Sequence, residues 1–182
     1  MHKLLLATIL APLIASYLLP EANADTNLFP QGNMEETTEV EGMALPKGWE
    51  KPPTNIALEP DQTHFVDGES SLRLTLNEGG QGWVRTQIIQ VQPGHTYEIT
   101  CSMRLASPGP LPFCGVRIYD SAAGWSPASG YLLESQQDRE WFQKKARFTA
   151  SPEAKWIYIG FLTKGVQGAS VNLDALTIEP IE

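Results

Sequence analysis

Apolar and polar residues alternate along most of this chain with a period of two, and no window sustains the period of a helix. Leu72, Leu74 and Leu76 alternate with Arg73 and Thr75. Tyr97, Ile99, Cys101, Met103 and Leu105 alternate with Glu98, Thr100, Ser102 and Arg104. Val116 and Ile118 alternate with Arg117 and Tyr119, and Ile157, Ile159 and Phe161 with Trp156, Tyr158 and Gly160. Phe142, Ala146 and Phe148 punctuate a further strand that carries Lys144, Lys145 and Arg147. Turn chemistry separates these runs, at Asp67-Gly68, Glu78-Gly79-Gly80, Pro93-Gly94, Pro108-Gly109-Pro110 and Lys164-Gly165. Many short strands without intervening helices predict an all-β fold, an antiparallel sandwich or barrel. Residues 36–53 read as a long loop. The stretch from Ser121 to Gln137 reads as the longest irregular connection, with a helical turn around Tyr131-Leu132-Leu133.

The two ends of the strand-forming region share a feature. Asn27 to Glu35 and Val171 to Ile178 each read as a short strand carrying one carboxylate, Glu35 and Asp174, where the backbone bends. In a sandwich whose first and last strands are neighbours, these carboxylates can meet and share a cation.

Residues 1–24 read as a secretory signal: a short basic start, an apolar run from Leu4 to Leu19 broken by Pro12, and the small-x-small site Ala22-Asn23-Ala24. Residues 25–182 are then one secreted domain, extracellular or periplasmic. Removing Lys3 and Glu21 with the signal leaves the net charge at −8. An acidic chain of this kind has no general attraction for nucleic acid or anionic membranes, and no later segment is apolar enough to insert. A monomer is expected. Cys101 and Cys114 flank a proline-rich connection, and export permits a disulfide between them. The alternative is a pair of free thiols on the core face.

Five stretches, in order, resemble the carbohydrate-binding modules of families four, nine and twenty-two, which belong to the galactose-binding-like jelly rolls. They are Asn27-Leu28-Phe29 through Glu35; Asp67-Gly68-Glu69-Ser70-Ser71-Leu72-Arg73-Leu74; Val91-Gln92-Pro93-Gly94-His95-Thr96-Tyr97; Trp141-Phe142 leading to Arg147-Phe148-Thr149; and Asn172-Leu173-Asp174. The resemblance implies a jelly-roll sandwich of eight to ten strands with a structural calcium near one edge. Glu35 and Asp174 would supply carboxylate oxygens, and main-chain carbonyls near Asn27 and in the Asp67 to Ser70 turn would complete the shell. Calcium takes six to eight hard oxygens of this mixed kind. The family usually closes with two consecutive acidic residues, whereas Ala175 follows Asp174 here. Trp141 matches an aromatic at a strand entry and is expected in the core.

The outward positions of the predicted strands carry the candidate ligand face. They are Trp83, Arg85 and Gln87 on one strand, Arg104 on a second, Arg117 and Tyr119 on a third, and Trp156 and Tyr158 on a fourth. Trp125 adds an exposed aromatic from the long connection, and Trp49 is expected to cover the sandwich edge or line a cleft. Aromatic faces stack on sugar C–H patches while Arg and Gln bond hydroxyls, so a polysaccharide or oligosaccharide is the expected partner. The arginines raise an anionic sugar as an option, with snorkelling or ion-paired arginines as the alternative.

Catalysis is not expected. Neither His64 nor His95 sits in a nucleophile setting, and Glu98 has no acidic partner on a neighbouring strand for glycosidase chemistry. Two other functions fit the same pattern: an adhesive sandwich binding protein or cell-surface material, and a small polysaccharide-active enzyme.

Overall fold

The chain's fold is given by a computed structural model that describes residues 27–125, 133–135 and 140–181; the expected signal at 1–24 lies outside them. The alternating runs form two antiparallel sheets. One has five strands in the order β11-β7-β13-β4-β3, built from Phe142–Thr149 (β11), Thr96–Ala106 (β7), Ser170–Ile181 (β13), Ser71–Leu76 (β4) and Ile56–Asp61 (β3). The other has six. Leu133–Ser135 (β10), Phe113–Asp120 (β8), Trp156–Gly165 (β12) and Gly80–Arg85 (β5) follow in that order. Ile89–Gln90 (β6) adds beside β12, and Gly124–Trp125 (β9) beside β8.

The inward residues of each run meet between the sheets. Leu72, Leu74, Ile99, Met103, Leu105, Val171 and Leu173 from one sheet pack with Val116, Ile118, Ile157, Ile159 and Phe161 from the other, all essentially without solvent contact. Each such side chain contributes about 1.5–3 kcal/mol by leaving water. The all-β antiparallel sandwich expected from the alternation is therefore the observed fold.

The strand count exceeds eight to ten. Part of the segment read as a loop at 36–53 is a hairpin, Thr37–Val40 (β1) with Met43–Pro46 (β2). Its two turn residues, Glu41 and Gly42, both have positive φ (49° and 80°), as a tight hairpin turn requires. The remaining excess lies in β6, β9 and β10, too short to show a period. Leu133, read as part of a helical turn, opens β10 instead; Tyr131 and Leu132 lie outside the described residues.

The structure decides between the two cysteine alternatives and corrects two tryptophan expectations. Cys101 on β7 and Cys114 on β8 are free thiols, both fully buried. Their strands are consecutive in the chain but belong to different sheets, because the proline-rich connection crosses the sandwich, so no ladder places the thiols side by side. Burial pushes both thiols up, Cys114 to about 12, which leaves them protonated and unreactive. Trp141, expected in the core, is only half-buried. Trp49 is the core tryptophan, fully buried against Phe29 (ring centroids 6.3 Å) and Phe161 (5.3 Å).

Candidate functional site

Cross-strand register decides which side chains share the outer face of the six-stranded sheet. Tyr158 on β12 stands opposite Tyr119 on β8, which stands opposite Trp125 on β9. In the next row Gly160 stands between Arg117 on β8 and Arg85 on β5, and beyond it Leu162 pairs with Trp83. Seven of the expected ligand residues therefore lie on one face: Trp83, Arg85, Arg117, Tyr119, Trp125, Trp156 and Tyr158.

Their rings divide into two groups. Tyr119 and Tyr158 lie parallel with centroids 4.7 Å apart and planes 1° apart, and Trp156 stacks obliquely beside both. The Arg85 guanidinium lies over the Tyr158 ring, 4.8 Å from its centroid. These faces are largely spent on one another. Trp125 instead stands edge-on to the tyrosines, at 84° and 83°, and leans toward Trp83 with centroids 5.6 Å apart and planes at 45°. Trp125 is 37 % exposed.

The two tryptophans converge over Gly160, mid-strand in a central strand, where glycine costs stability and marks a close approach. A β-carbon there would fall 2.9 Å from Trp125 and 3.3 Å from Trp83. Gly160 is the floor that lets both rings descend onto the sheet. Together with Val84, Arg85 and the segment Glu50–Pro53 they line an open cleft of about 450 Å³. That volume falls in the range of small-molecule and oligosaccharide sites.

Residues that the alternation did not reveal hold the cleft in place. The segment Gly48–Glu50 runs along the edge of β5: Gln87 N–H donates to the Gly48 carbonyl (2.6 Å) and Glu50 N–H to the Arg85 carbonyl (3.1 Å). This puts the Glu50 carboxylate on Arg85 Nε, an ion pair that raises the pKa of the guanidinium. Lys51 is paired in turn with Glu41 at the tip of the β1–β2 hairpin. On the opposite wall Asp120 shapes the turn that carries Trp125. Its carboxylate accepts from Ala122 N–H (2.8 Å), Ala123 N–H (3.2 Å) and Ser151 N–H (2.8 Å). Burial works to raise its pKa, but these amides win and hold it below the ordinary value. No periodicity could have found Glu50 or Asp120, since Glu50 lies in the connection between β2 and β3 and Asp120 is the last residue of β8.

Of the nine expected ligand residues, Trp83, Arg85 and Trp125 line the cleft, Arg117, Tyr119, Trp156 and Tyr158 share its sheet face beside it, and two lie elsewhere. Arg104 lies on the outer face of the five-stranded sheet, opposite Asn172 in register, because β7 joins that sheet. Gln87 lies past the end of β5, exposed and outside the cleft lining.

The residues expected to hold calcium gather at the outer face of the five-stranded sheet. Asp174 is fully buried where β13 bulges, with Ala175 in the left-handed region (φ 47°). Its carboxylate accepts from Val66 N–H (2.7 Å), Asp67 N–H (3.1 Å) and Ala175 N–H (2.7 Å). Burial pushes its pKa above the usual carboxylate range; the amides pull it back, and the nearby Asp67 charge adds to the rise. Glu35 Oε1 accepts from Glu69 N–H (2.8 Å) and Ser70 N–H (3.0 Å). It lies so close to Gly68 (φ 68°) that a β-carbon there would sit 2.1 Å from it. Both carboxylates thus clasp the 66–70 turn. Asn27 sits further along β13, its Oδ1 accepting from Phe29 and Ile178 N–H, each at 3.0 Å. Among the described residues no three acidic, His or Cys side chains converge. Both carboxylates face the turn through amide N–H donors, three on Asp174 and two on Glu35.

No protein-family model matches this chain, and no curated protein matches it either. Solved structures do. The xylan-binding CBM22-1 domain of Paenibacillus barcinonensis Xyn10C superposes with a TM-score of 0.64 at 14% identity, covering 88% of this chain and 98% of that one. A family 16 carbohydrate-binding module gives 0.55 at 19% identity, over 86% and 100% of the two chains. TmCBM61, solved in complex with β-1,4-galactotriose, gives 0.55 at 14% identity, over 84% and 94%. The chain thus has the jelly-roll fold of the carbohydrate-binding modules.

Proposed function

We propose that this chain is an exported, non-catalytic carbohydrate-binding module that takes a polysaccharide or oligosaccharide in the cleft over Gly160. The observation that carries this reading is the pair Trp83 and Trp125. They converge over Gly160 and line the cleft together, beside a guanidinium that Glu50 fixes. Apolar ring surface with a few oriented polar groups is what a sugar needs, C–H patches for the rings and hydroxyls for Arg85. The neighbours named above, one xylan-binding and one solved with galactotriose, support a glycan over a protein partner. Catalysis by two carboxylates needs one of them free to donate a proton. Among the described residues lining the cleft the carboxylate is Glu50, and it is held by Arg85, which supports the non-catalytic reading.

The same reading keeps a structural calcium at the turn that Glu35 and Asp174 clasp. The ion would offset the buried Asp174 charge and tie the turn to β13 and to the segment before β1, expected as a strand but found as a 3-10 turn at Pro30–Asn33.

Retention on a polysaccharide panel tests the function. Trp83→Ala and Trp125→Ala should each weaken binding by about 2 kcal/mol, roughly thirty-fold, without changing the melting temperature. A panel on which the unaltered protein is never retained refutes the reading. For calcium, chelator should lower the melting temperature and added calcium restore it; an unchanged melting curve refutes the ion.

A further inference from the structure

The cationic side chains among the described residues that line the cleft are Lys51 and Arg85, and each is already matched by a carboxylate. Arg85 is the more constrained. Glu50 takes its Nε–H, the Tyr158 ring lies under its guanidinium at 4.8 Å, and the Glu50 amide is bonded to its own carbonyl at 3.1 Å. The pair remains within reach of a ligand, with side-chain exposures of 49% for Arg85 and 35% for Glu50. A sugar hydroxyl meets the remaining guanidinium N–H groups without opposition. A sugar carboxylate or sulfate must either displace Glu50 from Arg85 or approach against its like charge.

We propose that Glu50 is a specificity-determining residue that locks Arg85 and confines the cleft to uncharged glycans. The proposal rests on the glycan-binding reading and sharpens it. A free arginine on this face would favour anionic sugars, since a bidentate charge-assisted pair is about twice as strong as a neutral hydrogen bond. Glu50 removes that preference by being the resident carboxylate. Its own role is positional, acting on the ligand through Arg85.

The test is affinity electrophoresis on the best-retained neutral polysaccharide, its carboxymethyl derivative and its uncharged hydroxyethyl derivative, at low and high salt. The unaltered protein should bind the carboxymethyl form at least about tenfold more weakly than the hydroxyethyl form. Glu50→Gln should close that gap by roughly tenfold at low salt, and the gain should vanish at high salt. Glu50→Asp should keep the rejection, and adding Arg85→Gln to Glu50→Gln should abolish the gain. A ratio that Glu50→Gln leaves unchanged overturns the lock, as does a gain that survives Arg85→Gln. Melting curves identify any variant that fails to fold, and the Glu50→Asp comparison then decides. Failure of the unaltered protein to bind any neutral polysaccharide is a different result, and it overturns the glycan reading together with the lock.

Discussion

The outer faces of the two sheets start from the same sequence pattern and end in opposite states. The six-stranded sheet presents an open face of aromatic rings with Gly160 as its floor. On the five-stranded sheet, part of the outer face is closed over polar side chains. There Asp61, Ser71, Asn172 and Asp174 are all buried. Asn172 donates to Asp61 (2.9 Å) and to the Ser71 hydroxyl (3.0 Å), and Ser71 donates to the His64 carbonyl (2.6 Å). The 62–70 loop covers this network and is held down by Asp174. Further out, Glu98 accepts from Lys145 (3.0 Å) and Arg147 (3.3 Å) on edge strand β11, whose charges also discourage edge-to-edge pairing. On the proposed reading one face takes the ligand, whereas the other holds the chain together. The difference lies in which polar groups are already satisfied.

That contrast can be broken first at Asp174. Asp174→Ala strips the bond acceptor from the Val66, Asp67 and Ala175 amides, so stability should fall by about 2–4 kcal/mol in a denaturant melt. Glycan affinity of the folded protein should be unchanged. A matching loss of affinity at temperatures where the variant is folded would join the two faces and contradict their separation.

Asp61 comes next, through pH. Burial works to raise its pKa, but bonds from Asn172, Thr63 and His64 outweigh it and hold the carboxyl at about 2, below the ordinary 3.8. A lowered folded-state value means that its contribution is complete above pH 3.8 and disappears as pH falls through 2. Thermal melts between pH 5 and 2 should show the unaltered protein losing on the order of 1–2 kcal/mol more than Asp61→Asn. Parallel curves would show that the network carries no linkage. Asp174 runs the other way, its raised value opposing folding as pH rises, so the variant comparison is needed to isolate Asp61.

Gly160→Ala should act on the open face alone. A β-carbon forces the Trp83–Trp125 pair off the sheet, and affinity should drop by about 1 kcal/mol or more, some fivefold, with a change in the near-ultraviolet circular dichroism of the tryptophans. Unchanged affinity and spectrum would mean that the rings do not rest on this floor. The smallest effect is expected at Glu98. Its ion pairs are exposed at their basic ends, so Glu98→Ala should barely move the melting temperature and should leave binding intact.

The alternation made the sandwich legible because a period of two places Leu72, Leu74 and Leu76 on one side whatever sheet they join. It could not say which sheet that is. Arg85 and Arg104 occupy equivalent outward positions in their runs, yet β5 and β7 belong to different sheets, so one arginine lines the cleft and the other does not. Sheet membership is set by long-range register, which no local window contains. The tryptophans were found by type, whereas Gly160, Glu50 and Asp120 matter through what they allow or hold. Each looks ordinary until its neighbours are placed. The corner of Glu35 and Asp174 was legible as a meeting of chain ends, and the structure adds that backbone amides already occupy much of both carboxylates.

The most direct test of the division between the faces is a titration with the best-binding oligosaccharide followed by backbone amide chemical shifts. Perturbations should centre on Trp83 to Arg85, Tyr119, Trp125 and Tyr158 to Gly160. Perturbations centred instead on Asp61 to Arg73, Arg104 and Asn172 to Asp174 would contradict the division.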